Sequence, residues 1–145
     1  MLAQAKAEVP LPAARVWQLA KKTATQLYLS RSGFNYAAEL PAVRDEGYEG
    51  EYRIRLLGFF PAWTHRQRFD RVDDASYEIL VRESGGPYRV WDHSMRIEQV
   101  GPTQCVFIDT IEVEAGFLTP LVWLAARLLC RSRMRRLVEL ARVLA

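Results

Sequence analysis

The chain has 145 residues, half of them apolar, which suits one domain with a substantial buried core. Its 20 Lys and Arg residues exceed its 17 Asp and Glu residues by only three, too small an excess to indicate a nucleic-acid-binding surface. The two cysteines, Cys105 and Cys130, lack the spacing of a disulfide framework or a structural zinc site. We therefore predict a single domain over residues 1–145 that does not bind nucleic acid.

Neither an export signal nor a membrane span is visible in the sequence. Residues 1–16 lack the apolar core of a signal peptide. The most apolar run, FLTPLVWLAARLLC, is about 14 residues long and contains Arg127, whereas a spanning helix needs ~20 residues. The sequence predicts a cytoplasmic protein.

The first third of the chain predicts one strand and two short helices. Small apolar residues alternate with polar ones in LAQAKAEV, the pattern of a strand with one buried face. Pro12 opens a short helix that runs to about Lys22, and residues 24–30 form a second. The following stretch, RSGFNYAAELPAVRDEG, is rich in turn residues and is predicted to be a connection.

The rest of the chain predicts a strand meander and a long helix. Two strands, 51–59 and 64–72, meet at FPAW, and SYEILVRE, YRVWDHSMRIEQV and QCVFIDTIEVEA follow. Consecutive strands joined by short turns make an antiparallel sheet. Thr119 as N-cap and Pro120 then begin a helix over 121–144. The predicted fold class is α+β, a curved antiparallel sheet of about six strands around a long C-terminal helix, with short helices after strand 1.

Several stretches resemble one known superfamily. They are ELPAVRDEG, YRIRLLGFFPAW, ESGGPYRVWDHSMRIE, FIDTIEVEAGFLTP and the arginine-rich final helix. Together they resemble the START-like helix-grip superfamily, often called SRPBCC, and in particular its small bacterial members labelled polyketide cyclase or ligand-binding. The resemblance implies a helix-grip fold with a cavity between sheet and helix. It does not choose among lipid carriers, cyclases and other members.

His93 and Asp109 are the candidate catalytic residues. Strand alternation places Trp91, His93 and Met95 on one face, and the resemblance puts His93 on the concave side. Asp109 shares a face with Phe107 in the next strand, and counting from the turn puts it opposite His93 or one pair away. We predict a His93–Asp109 hydrogen bond. The pair is either an acid/base and ligand anchor or a satisfied polar pair of the sheet.

Further candidates come from one strand and the final helix. Trp63 and His65 share a strand face that either enters the cavity or lies at a strand edge near the hairpin. Arg131 follows Leu124 by seven residues, so the helix would direct its guanidinium into the cavity toward an anionic ligand group or Asp109. The predicted ligand-binding residues are Trp63, His65, Trp91, His93, Met95, Phe107, Asp109, Leu124, Leu128 and Arg131.

The sequence predicts no metal and no cofactor. His65, His93, Cys105 and Asp109 are zinc-binding residue types, but no close pair of ligands begins such a site. Glycine-rich phosphate loops and a nucleophile elbow are also missing from the sequence.

Two segments suggest contact with a membrane or a partner. The GFFPAW segment places Phe59, Phe60 and Trp63 either in an exposed apolar loop beside the cavity mouth or within continuing, buried strands. The arginines of the final helix form either a solvated face or a surface for anionic lipid or an acidic partner.

Three functions remain open. The favoured one is binding or transport of a small hydrophobic molecule: a lipid, isoprenoid, quinone or aromatic polyketide. The second is a polyketide cyclase or dehydratase with His93 as general base. The third is an interaction module that uses the basic helix at a membrane or a partner. The protein is expected to be a monomer or a homodimer.

Overall fold

The computed structural model describes residues 1–31, 34–37, 41–56 and 63–145. In chain order the elements are β1 (Leu2–Val9), α1 (Ala13–Lys21), α2 (Thr23–Ser30), β2 (Phe34–Ala37), β3 (Glu49–Leu56), β4 (Trp63–Asp73), β5 (Glu78–Gly85), β6 (Tyr88–Gly101), β7 (Gln104–Glu114), a 3₁₀ turn (Gly116–Leu118) and α3 (Thr119–Leu144).

The strands form one antiparallel sheet in the order β1-β7-β6-β5-β4-β3-β2. This confirms the predicted fold class. The described strands number seven rather than about six, because Phe34–Ala37 pairs with β3 although its sequence predicts a connection. Most of the predicted junction at FPAW, including Phe60, and the preceding Phe59 lie outside the described residues, whereas Trp63 is the first residue of β4.

Alternation along the strands gives the sheet one buried, concave face. In β7 every second residue from Cys105 to Val113 is buried, which places Asp109 among apolar neighbours. The main core lies between this face, α1 and the C-terminal half of α3, and it includes Trp17, Phe107 and Leu137. The N-terminal half of α3 covers the other end of the concave face, where the packing is incomplete.

The α3 helix lies across β1 and β7 with one stripe of its surface buried. Its buried positions repeat at intervals of three and four residues, as a helix packed on a sheet requires: Ala126, Cys130, Arg133, Met134, Leu137 and Ala141. Thr119 is not the N-cap, which is Leu118. Its hydroxyl donates to the Gly116 carbonyl and accepts from the Ala115 N–H, so it stabilises the 3₁₀ turn instead.

Among the described residues, no helix combines the length and the apolar character that crossing a bilayer requires.

Candidate ligand-binding cavity

A cavity of about 470 Å³ lies between the concave face of the sheet, α2 and the N-terminal half of α3. Its helix side is aliphatic and includes Leu118, Leu121, Val122, Ala125 and Leu129. Its strand side carries aromatic rings and most of its polar side chains. The cavity thus has an apolar wall opposite a wall that can exchange hydrogen bonds.

The first half of the polar wall is centred on Glu83. His65 Nε2 donates to Glu83 Oε2 at 2.7 Å, and Gln67 Nε2 donates to Glu83 Oε1 at 3.0 Å. Tyr88 Oη shares a 2.6 Å hydrogen bond with the other ring nitrogen of His65, Nδ1. Gln67 and Glu83 are register partners of β4 and β5, so the strand pairing itself brings these groups together.

These contacts keep the Glu83 carboxylate ionised. Burial alone would raise its pKa, but the interactions with His65, His93 and Gln67 together outweigh burial and hold the pKa of Glu83 below its ordinary value. A buried, ionised carboxylate that faces a cavity acts as a fixed hydrogen-bond acceptor.

The second half of the polar wall is centred on Asp109. His93 Nε2 donates to Asp109 Oδ1 at 2.5 Å, which confirms the predicted hydrogen bond. Met95 is the register partner of Asp109, so His93 is one pair away. Arg133 approaches from α3, with Nε 3.5 Å from Asp109 Oδ2, and its Nη2 donates to Gln26 Oε1 at 2.6 Å.

Asp109 is fully buried, and its charge is balanced from two sides. Burial would raise its pKa, but Arg133 and then His93 lower it more, so the pKa of Asp109 stays below its usual range. The carboxylate orients the His93 ring. Because Nε2 of that ring is held by Asp109, Nδ1 is the nitrogen left for other partners.

His93 connects the two halves. Its Nδ1 lies 3.9 Å from Glu83 Oε1, too far for a direct hydrogen bond. With this one gap, the groups form a series that runs along the sheet and then to α3 and α2, which we call the polar row: Tyr88, His65, Glu83, His93, Asp109, Arg133 and Gln26. A ligand hydroxyl that reaches the gap at His93 would meet the Glu83 carboxylate as an acceptor and the His93 ring together.

Trp63, His65, Trp91 and His93 line the cavity, and Asp109 lies beneath His93 and holds it. Met95 and Phe107 do not line it. Their side chains are on the concave face, as the alternation predicts, but they belong to the main core. The physical reason is coverage, since α1 and the C-terminal half of α3 close that end of the sheet.

Leu124, Leu128 and Arg131 point away from the cavity and are exposed. The predicted rotation of α3 about its axis was wrong. The buried face of the helix runs through Cys130, and these three residues lie on the side of the helix that faces solvent. Arg133 takes the place predicted for Arg131. Two residues along a helix correspond to a rotation of about 200°, which turns an outward guanidinium into a buried one.

Sequence reasoning missed Glu83, Arg133 and Gln26. Glu83 had a usable signal, because period two from Ile79 and Val81 puts it on the buried face. The inward position of Arg133 could be predicted only if the rotation of α3 about its axis was known. Gln26 had no signal, because its role depends on where α2 meets α3.

Within the described residues, no three His, Cys, Asp or Glu side chains come together in a way that would hold a metal ion.

The fold is similar to that of several solved structures. A truncated norcoclaurine synthase from Thalictrum flavum is 15% identical with a TM-score of 0.69, and the match covers 95% of this chain and 92% of that one. The Zhui aromatase/cyclase from Streptomyces sp. R1128 is 17% identical with a TM-score of 0.63, covering 98% and 93%. A START superfamily protein from Mycobacterium smegmatis is 14% identical with a TM-score of 0.63, covering 96% and 98%.

No family model and no curated protein matches the sequence. At these identities the similarity establishes the fold, and the chain has the START-like helix-grip fold.

Proposed function

We propose that this helix-grip protein binds a small, mostly apolar molecule that carries at least one oxygen. The observation that carries the proposal is the two-sided cavity, with an aliphatic wall on α3 and the polar row on the sheet. Small-molecule sites typically have this composition, a largely apolar surface with a few placed polar groups. The volume is also within the usual range for such sites, roughly 300–1,000 Å³.

Among lipids, isoprenoids, quinones and aromatic polyketides, the cavity favours flat, oxygenated molecules. Tyr88 and Trp91 lie with ring centroids 5.0 Å apart, and both line the cavity beside His93. The Trp63 indole N–H is buried and has no hydrogen-bond partner among the described residues. An aromatic ligand with a carbonyl or hydroxyl group could stack on the rings and accept this hydrogen bond.

Extraction and titration test this proposal. Full-length protein purified from cells is denatured and extracted, and released small molecules are identified by mass spectrometry. Calorimetric titrations then cover a fatty acid, a short-chain quinone and an aromatic polyketide. We expect the oxygenated aromatic compounds to bind more tightly than the fatty acid.

Two neighbouring leucines on α3 provide a matched control. Leu129 lines the cavity, whereas Leu128 is exposed. Leu129→Trp should fill the cavity and weaken binding at least about 10-fold, while Leu128→Trp should bind like the wild type. Equal affinities in the two variants, or an empty protein that binds no compound of the panel, would refute the proposal.

A second candidate function is acid–base catalysis on a polyketide-like substrate. The observation that favours it is His93, which lines the cavity while Asp109 fixes its ring through Nε2 and leaves Nδ1 for another partner. An imidazole oriented by a carboxylate can remove a proton from the carbon next to a substrate carbonyl. Arg133 would balance the negative charge of Asp109, the carboxylate that orients the ring.

His93→Asn separates the two functions. An amide keeps hydrogen-bonding capacity towards Asp109, so we expect a folded variant with ligand affinity within a few-fold of the wild type. Catalysis would predict in addition that turnover of a poly-β-carbonyl substrate falls by roughly 100-fold or more. A wild type without turnover, or a variant with unchanged turnover, excludes His93 as a catalytic base.

A further inference from the structure

The outward face of the last helix carries a row of exposed apolar side chains. Phe117 is 91% exposed, Leu121 66%, Leu124 48% and Leu128 57%. Phe117 is in the 3₁₀ turn, and the leucines follow on α3 at intervals of three and four residues, so they share one face. We call these four residues the outer stripe. Solvent exposure of large side chains in a continuous row is typical of an interaction surface.

The same face becomes basic along the helix. Arg131 and Arg135 are exposed at the next positions of the repeat, three and seven residues after Leu128. Residues 115–138 contain five arginines and no Asp or Glu, and the exposed Glu139 is the one acid of α3. The outward face of α3 is thus apolar in its first half and positively charged in its second.

These arginines are not neutralised by the protein. Within the described part of the chain, Arg131 and Arg135 make no ion pair. Arginines of the convex sheet face differ, since Arg82 binds both Asp70 and Asp92. The free positive charge on α3 is therefore available to an anionic partner.

We propose that the outer stripe, with Arg131 and Arg135, binds the surface of an anionic lipid bilayer. A helix with an apolar row and a basic region binds at the boundary between headgroups and acyl chains, where both kinds of side chain find partners. A second copy of the chain fits less well, because α3 of each copy holds six arginines and one carboxylate, Glu139, so that two such helices would repel each other.

The position of the outer stripe connects this surface with the cavity. Leu121 belongs to the stripe and also lines the cavity, next to Leu118. Docking through the stripe would bring this edge of the cavity to the bilayer, so that an apolar ligand could enter from the membrane. Ligand entry rests on the proposed function, whereas bilayer binding does not.

Vesicle flotation with the full chain tests the surface. Vesicles of phosphatidylcholine alone are compared with vesicles that also contain phosphatidylglycerol. We expect binding to the anionic vesicles, weakened by salt, and at least about 10-fold weaker binding to the neutral ones. Leu124→Ser combined with Leu128→Ser should reduce binding to anionic vesicles by about 10-fold or more.

Charge and position controls complete the experiment. Arg131→Gln with Arg135→Gln should weaken binding and reduce its salt dependence, whereas Arg89→Gln on the convex face should leave binding unchanged. Thermal melts verify folding, which these exposed positions should not disturb. The serine variants should bind cavity ligands in solution like the wild type, so failure of bilayer binding and failure of the cavity proposal are distinguishable.

Three results would overturn the inference: no binding to anionic vesicles, equal binding by the stripe variants, or a lipid-free dimer that the serine substitutions dissociate.

Discussion

Replacing Asp109 with Asn measures how far the polar row depends on one buried charge. Asn has nearly the same shape and can still accept the hydrogen bond of His93. What it removes is the negative charge beside Arg133, whose side chain is almost fully buried with Nε 3.5 Å from the carboxylate. The variant therefore leaves a buried guanidinium without its counter-charge.

Breaking a buried ion pair by removing one partner costs about 3–5 kcal/mol. The lower end applies here, because Arg133 also donates to Gln26 and the amide retains the bond to His93. We expect a loss of about 3 kcal/mol in the free energy of unfolding. For a chain of this length, that loss corresponds to a melting temperature lower by roughly 10 °C.

Urea unfolding at neutral pH, followed by circular dichroism, provides the measurement. Asp70→Asn is the control, because Asp70 pairs with Arg68 and Arg82 on the solvent-exposed convex face. Its effect should be much smaller. A loss below about 1 kcal/mol for Asp109→Asn, or equal losses in both variants, would refute the assignment of a buried, charge-balanced row.

The difference should also depend on pH in one direction. The pKa of Asp109 is lower in the folded protein than in the unfolded chain, so its stabilising contribution is present above the unfolded value, about 3.9. That contribution is lost as the pH falls through the lower, folded value. The gap in stability between wild type and Asp109→Asn should therefore be constant near neutral pH and narrow in acid.

Burial raises the pKa of Cys105 to about 11 and also raises that of Cys130, so both thiols should react with a thiol reagent near pH 8 only after unfolding. Gly85 has a φ of 105°, and an added Cβ would lie 2.1 Å from a backbone oxygen, so Gly85→Ala should lose about 2 kcal/mol or more in urea unfolding while Gly101→Ala stays near wild type. Phe107→Ala should cost about 3–5 kcal/mol in the same assay, because Phe107 belongs to the main core.

The sequence alone predicted the strands that form the site and the pairing of His93 with Asp109. Both follow from local rules, since side chains alternate along a strand and the tight turn between two antiparallel strands fixes which residues face each other. Period two also put Asp109 among apolar neighbours, where a buried carboxylate requires a partner. A short strand such as Phe34–Ala37 escaped prediction because its pairing with β3 outweighs its turn-rich sequence.

The rotation of α3 was decided by tertiary packing. Apolar residues occur on several sides of this helix, so the pattern alone allowed Leu124, Leu128 and Arg131 to face the sheet. In the structure small residues such as Ala126 and Cys130 lie against β1 and β7, because they allow the helix close to the strands. That choice turns Arg133 inward and leaves the large leucines exposed.

The position of the cavity was likewise decided by tertiary structure. The side chains of Met95 and Trp91 point to the same face of the sheet, yet Met95 is in the core and Trp91 lines the cavity. Strand alternation fixes which face of the sheet a residue occupies, because it depends only on neighbouring residues along the chain. Whether that part of the face is covered by side chains or left open depends on where α1 and α3 pack. This packing brings together segments that are distant in sequence, so the local pattern of residues does not determine it.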